Sequence, residues 1–262
     1  MMVAFPMRSG GRNDVDVQCS SDEAVERVSG YKTKLNDFLH NGGCKMKFNC
    51  ILLVSLFMAT LSGCEKADDE LTLLKEKAES GDVIAQYNLG CAYAEGDGTP
   101  VDLVQAVKWF RRAADSGDVD AQYNLAVMYD DGDGVDEDNE EAVKWYTAAA
   151  KQGDQFSQYN LAVMYDEGTG VGQDYSKALH WYRQAAEQGD RDAQYSIGML
   201  YETGDVGESD RVEAYAWYTL AAKNGELNAK EKCVQLEAGF TDEQLKSGKS
   251  RCSEIMFLYG ID

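Results

Sequence analysis

The chain has 262 residues, a formal net charge of −21, only two prolines (Pro6 and Pro100) and two histidines. That length allows one large domain or a short solenoid, and the scarcity of proline suits long helical content. The acidity disfavours nucleic acid, whose phosphates need a basic face, and favours solubility and basic partners; a merely solvated acidic surface is the plainer reading of the same charge.

Residues 1 to 45 show no clear period and read as a disordered leader, an over-extended frame or a non-native addition. Lys45-Met46-Lys47 then precedes the apolar run Phe48 to Thr60, which ends in Leu61-Ser62-Gly63-Cys64. A basic start, a short apolar core and small residues at the end read as a secretory signal over residues 46–63. Sixteen residues, Phe48 to Gly63, fall short of the roughly 20 that a spanning helix needs. From Cys64 onward there are 18 Lys plus Arg against 40 Asp plus Glu, so the negative excess lies wholly in this part.

Residues 64–81 supply a linker and a capping half-repeat. Leu74 and Ala78 occupy the positions that Phe110 and Ala114 hold 36 residues later, but the tryptophan is missing. Four units follow, at 82–117, 118–153, 154–189 and 190–225. Tyr87, Tyr123, Tyr159 and Tyr195 are 36 residues apart, as are Trp109, Trp145, Trp181 and Trp217. A fixed period of this length marks stacked repeats.

Within the first unit, Ala85, Leu89, Ala92 and Tyr93 share one helical face. Ala106, Trp109, Phe110, Ala113 and Ala114 form a second apolar stripe after a glycine-rich break. Asp102, Asp138, Asp174 and Asp210 stand at the N-cap position of the second helix. Gln105, Glu141 and Glu213, three residues on, predict reciprocal capping. Gly98, Gly134 and Gly170 recur in the loop, whereas the fourth unit has Val206 and Gly207, which predicts a loop of different shape. The fold expected is all-α: an α-solenoid of about four helix-turn-helix repeats with capping helices at both ends, because a lone hairpin of this size cannot bury its apolar face.

Residues 226–262 lose the period and read as a C-terminal cap. Thr241-Asp242-Glu243-Gln244 is a capping box that opens a last helix, and the apolar Ile255 to Tyr259 is expected to close the stack or, failing that, to promote dimers.

The stretches AQYNLGCAYAEGDG with AVKWFRRAA, AQYNLAVMYDDGDGV with AVKWYTAAA, SQYNLAVMYDEGTGV with ALHWYRQAA, and AQYSIGMLYETG with AYAWYTLAA carry a resemblance. Over about residues 78 to 232 the chain resembles the Sel1-like repeat family, a relative of the tetratricopeptide repeat. The resemblance implies a right-handed α-solenoid that serves as a protein-interaction scaffold. It also implies that the first helices line a concave face, here Tyr87, Cys91 and Ala94, then Tyr123, Val127 and Asp130, Tyr159, Val163 and Asp166, and Tyr195, Met199 and Glu202. The tyrosines have a second reading, as packing between neighbouring helices. The Leu61 to Cys64 ending resembles a bacterial lipoprotein signal, which implies lipidation at Cys64 and an envelope protein facing the periplasm, with Glu65 leaning toward the outer membrane.

Catalytic readings find little to stand on. With His180 as the one histidine after Cys64, triads and histidine metal sites lack material, and no cofactor is expected. Cys91 reads as a small apolar residue. Cys233 and Cys252 form a candidate disulfide between the last repeat and its cap. Ser29 to Lys32 has the S-x-x-K form without its companion motifs, Gly248-Lys249-Ser250 lacks the first glycine of a phosphate loop, and the acidic loop from Asp130 to Glu141 lacks the glycine of a calcium loop. A non-enzymatic, lipid-anchored scaffold for a protein or peptide is the function expected. The alternatives are a β-lactamase-like envelope hydrolase, which a cysteine-rich branch of the resembling family suggests but whose paired cysteines this chain lacks, and a cytoplasmic regulator whose leader is retained.

Overall fold

A computed structural model describes residues 65–259. The leader, the signal segment and Cys64 lie outside the described residues. Among the described residues there are eleven helices and no strand, and no helix is long and apolar enough to cross a membrane.

Helix α1 (Glu65–Glu79) precedes four hairpins: α2 (Val83–Glu95) with α3 (Leu103–Asp115), α4 (Val119–Asp131) with α5 (Asn139–Lys151), α6 (Gln155–Glu167) with α7 (Tyr175–Glu187), and α8 (Arg191–Thr203) with α9 (Arg211–Lys223). Helices α10 (Leu227–Glu237) and α11 (Asp242–Tyr259) close the C-terminal end. Each hairpin helix is 13 residues long, so the 36-residue period is two such helices and their two connections.

Aspartate starts every helix of the four hairpins. Asp102, Asp138, Asp174 and Asp210 accept from the backbone three residues on, as expected, and Asp82, Asp118, Asp154 and Asp190 do the same for the first helices. The reciprocal half of the predicted capping is not made. The N–H groups of Asp102, Asp138, Asp174 and Asp210 instead donate to the carbonyls of Tyr93, Tyr129, Tyr165 and Tyr201, which staples each second helix to the end of its first. Glu141 and Glu213 are thereby released, and they accept from Trp145 Nε1 at 3.2 Å and Trp217 Nε1 at 3.1 Å. At Thr241 no such competitor exists, and the capping box forms in both directions with Gln244.

The repeats are joined through a buried glutamine. Gln86, Gln122, Gln158 and Gln194 each donate to the carbonyl of Ala78, Ala114, Ala150 or Ala186, near the end of the preceding helix. The Oε1 of Gln122, Gln158 and Gln194 accepts from Gln152, Gln188 and Asn224, at 2.8 Å in each case. The corresponding residue below Gln86 is Ser116, too short to reach, and Gln86 Oε1 is buried without a partner among the described residues. Ser116→Gln is therefore expected to complete the first junction and add about 1 kcal/mol. Thermal unfolding should show a rise of a few degrees, and no rise would mean that the clamp carries no energy.

Small residues let the helices close up. Ala78, Ala106, Ala113, Ala142, Ala149, Ala178, Ala185, Ala214 and Ala221 are wholly buried. Ala78 packs with Ala85, Leu89 and Trp109, so α1 covers the first hairpin. The last helix splits the apolar tail. Ile255 is buried and Tyr259 lies 5.8 Å from Trp217, while Phe257 and Leu258 point outward and are largely exposed. Arg251 grips Glu213 with two nitrogens, at 2.6 and 3.2 Å, and fixes α11 on α9.

Candidate interaction face

The face built by α2, α4, α6, α8 and α10 carries most of the residues singled out from sequence. Tyr87, Tyr123, Tyr159 and Tyr195 are half-buried, and each ring packs on the second helix of its own hairpin: on Phe110 at 5.8 Å, Tyr146 at 6.2 Å, Tyr182 at 5.8 Å and Tyr218 at 5.3 Å. The first three also reach the next first helix. Tyr87 meets Asn124, Tyr123 stacks on Phe156 at 5.9 Å, and Tyr159 meets Ser196. Burial raises the hydroxyl pKa of Tyr87, Tyr159 and Tyr195 above the ordinary tyrosine value. The column is thus a seam between repeats whose outer edge is open.

The acidic column has an intramolecular partner. Asp130, Asp166 and Glu202 accept from the hydroxyls of Tyr146, Tyr182 and Tyr218 at 3.4, 3.1 and 2.7 Å. In the first repeat the carboxylate is Ala94 and the tyrosine is Phe110, so both halves of the pair are absent together. Burial raises the pKa of Asp130 and Asp166 from the ordinary aspartate value. Burial also pushes Glu202 upward, but the hydrogen bonds from Lys232, at 2.8 Å, and Tyr218 outweigh it and lower its pKa.

Val127 is buried, Cys91 and Val163 are half-buried and Met199 is exposed, so this row narrows to Met199 as its open member. Ala94 is half-buried beside the same seam. Beyond Tyr195, a cleft of about 190 Å³ is lined by Asn228, Glu231, Lys232 and Gln235.

The residues that sequence reading passed over are at the first turn of each first helix: Ile84, Asp120, Phe156 and Asp192. Ile84 is 70% exposed and Phe156 48%. The signal was their variety between a constant N-cap aspartate and the constant glutamine and tyrosine that follow.

Charge is sorted between the two helix sets. α2, α4 and α6 contain no lysine or arginine, and α8 contains only Arg191. Nine cations sit on α3, α5, α7 and α9. Several lie over aromatic rings there, including Arg112 over Trp109 at 4.6 Å, Lys144 over Trp145 at 5.1 Å and Arg111 over Tyr129 at 5.2 Å.

Asp192 is the most strongly shifted carboxylate of this face. Burial, then Asp190, then a hydrogen bond with Glu226 push its pKa up to about 6, against a smaller opposing pull from Arg191. The folded value lies above the ordinary 3.8, so folding takes up a proton between about pH 4 and pH 6. Stability contributed by this group is present below that window and declines as pH rises through it. Asp192→Asn should remove that decline, and melting temperature plotted against pH should be flatter for the variant. An unchanged slope would place the effect elsewhere.

Cys91, Cys233 and Cys252 are free thiols. Cys233 lies 3.6 Å from Thr219 Oγ1 and Cys252 is buried on the inner side of α11, so the bridge considered for this pair is not formed here. His180 is exposed, with its ring 5.1 Å from Trp181. Among the described residues no group of three or more His, Cys, Asp or Glu is arranged to hold a metal.

A family model described as Sel1 repeat matches residues 83–118, 119–154, 155–190 and 191–226. The chain is 44% identical over 69 residues to the secretory immunoglobulin A-binding protein EsiB of Escherichia coli, a match covering 26% of this chain and 14% of that protein. Among solved structures it is similar to a protective antigen of uropathogenic Escherichia coli with an SLR fold: 46% identity, TM-score 0.58, 61% of this chain and 34% of that one. It is also similar to a Sel1 repeat protein from Oxalobacter formigenes: 29% identity, TM-score 0.64, 78% of this chain and 85% of that one. The chain thus spans about a seventh of the curated relative and a third of the first structural one.

Proposed function

Because the chain belongs to the Sel1 repeat family, whose members are generally protein-interaction scaffolds, we propose that it is a non-enzymatic scaffold that holds a protein or peptide on the concave face of its first helices. The observation that carries this reading is the sorted charge. The first helices of the four repeats carry no lysine or arginine but Arg191, while α10 brings Lys230 and Lys232 to one end; with Ile84, Asp120, Phe156 and Met199 exposed, those four helices suit a basic partner with apolar anchors. The tyrosines behind them set the spacing and offer their outer edges.

Lipidation of Cys64 would place this scaffold at a bacterial membrane, facing the periplasm. The short apolar run ending in Leu61-Ser62-Gly63-Cys64 supports that reading. The likeness to an immunoglobulin-binding protein of Escherichia coli is compatible with work outside the cytoplasm. Mass spectrometry of the mature protein should find an acylated Cys64 at the N-terminus; an unprocessed leader would overturn the anchor.

Co-purification from the native cell tests the binding face. Phe156→Ala and Tyr159→Ala, each checked to remain folded, should lose partners that the Lys108→Ala and Lys144→Ala proteins retain. Retention by all four would remove the first-helix face from the account.

A further inference from the structure

The first-turn row is a ruler. Ile84, Asp120, Phe156 and Asp192 occupy one position in four successive repeats, and they alternate apolar, acidic, apolar, acidic. Ile84, Asp120 and Phe156 are exposed and Asp192 is half-buried, all beside the tyrosine seam: Tyr87 feels Asp120, Tyr123 packs on Phe156, and Tyr159 feels Asp192. Tyr123 of α4 reaches Phe156 of α6, so successive first helices are neighbours, and neighbouring helices stand about 8–10 Å apart, which spaces the row at roughly that interval. A β-strand cannot match it well. Its rise of about 3.3 Å brings every third residue into register, but its side chains alternate with period two and successive contacts would point to opposite sides. A polyproline II segment has three residues per turn and a rise of about 3.1 Å, which puts every third side chain on one face at about 9.3 Å.

We propose that this face takes a segment in the polyproline II conformation, with apolar and cationic side chains alternating at every third position, the apolar ones on Ile84 and Phe156 and the cations on Asp120 and Asp192. This rests on the first-helix face being the binding face and adds the partner's conformation and spacing to it. Charge complementarity commits the occupant to a basic segment. Asp120 is exposed and has no cation on its own helix. Asp192 has only Arg191 near it, at 3.8 Å, and Asp190 and Glu226 add to its negative field. The preformed helix also loses little conformational freedom on docking, which suits a shallow, open row.

Fluorescence anisotropy of labelled proline-rich peptides against the full chain tests this. The probe carries leucine and arginine alternately at every third position in a proline background. A control of the same composition places them at every second position. The register-matched peptide is expected to bind about ten-fold more tightly than the control. Phe156→Ala should lower its affinity by a similar factor, Asp120→Asn by about three-fold, and Arg191→Gln should raise it by unmasking Asp192. Equal binding of the two registers, or no binding of either, overturns the proposal. Equal binding after leucine is replaced by serine would mean an acidic surface only. If register does not matter but Asp120→Lys still blocks binding, the face stands and the partner's geometry falls. Binding indifferent to every first-helix variant removes both.

Discussion

Replacing Gly170 by alanine should cost about 2–5 kcal/mol and uncouple the second repeat from the third. Its φ is +66°, a left-handed conformation that costs a non-glycine residue about 1–2 kcal/mol. The greater cost arises between repeats. A β-carbon at Gly170 would overlap the backbone carbonyl of Asn139, at the start of α5, and no side-chain rotation relieves a backbone collision. Overpacking of that kind costs about 1–3 kcal/mol more. Gly134 stands in the same relation to Leu103, at the start of α3. Gly98 shares the conformation, with φ +67°, but a β-carbon there would meet nothing within 4 Å. Gly98→Ala thus measures the backbone cost alone, and the difference between the two variants isolates the stacking contact. Urea unfolding of Gly170→Ala should show a broadened or divided transition, because a solenoid is stabilised by nearest-neighbour interfaces. Equal losses in Gly98→Ala and Gly170→Ala would mean that the loops do not couple the repeats.

The second large effect is expected at the tryptophans, and it should be graded along the chain. Trp217 is 1% exposed, Trp109 5% and Trp145 6%, whereas Trp181 is only half-buried. Trp217 also donates to Glu213, which in turn holds Arg251 of the last helix. Trp217→Ala therefore opens a cavity and loosens α11, for a loss of about 4 kcal/mol. Trp181 stands where the residue four positions earlier is Lys177, which pairs with Asp174 and cannot accept from an indole. Trp181→Ala should cost markedly less. Equal losses at 181 and 217 would contradict the network drawn around Glu213.

The repeat itself was legible because the same contacts recur with the same letters. Tyr87 to Tyr195 and Trp109 to Trp217 hold one register, and the helices fall on it. The loop of the fourth repeat was legible for the opposite reason. Val206 replaces the second glycine, and Gly207 adopts φ +146° instead of the value near +70° at Gly98, Gly134 and Gly170.

What was misread involves partners distant in sequence. Glu141 and Glu213 look like capping residues until the carbonyls of Tyr129 and Tyr201 are seen to occupy the amides they would have used. Asp130, Asp166 and Glu202 look like a charged rim until Tyr146, Tyr182 and Tyr218 are seen above them. That pairing was readable in the chain, because Ala94 and Phe110 lose both members at once. The buried glutamines gave no signal, since Gln86, Gln122, Gln158 and Gln194 never vary. The first-turn row carried the contrary signal: Ile84, Asp120, Phe156 and Asp192 change between the constant caps Asp82 to Asp190 and the constant glutamines and tyrosines that follow.

Site-directed photocrosslinking in the native cell tests the central claim most directly. A photoreactive side chain placed at position 120 or 156, on the first helices, is predicted to give a discrete adduct with a partner protein. The same group at 108 or 144, on the second helices, is predicted to give none. Adducts from 108 and 144, with none from 120 and 156, would contradict the account.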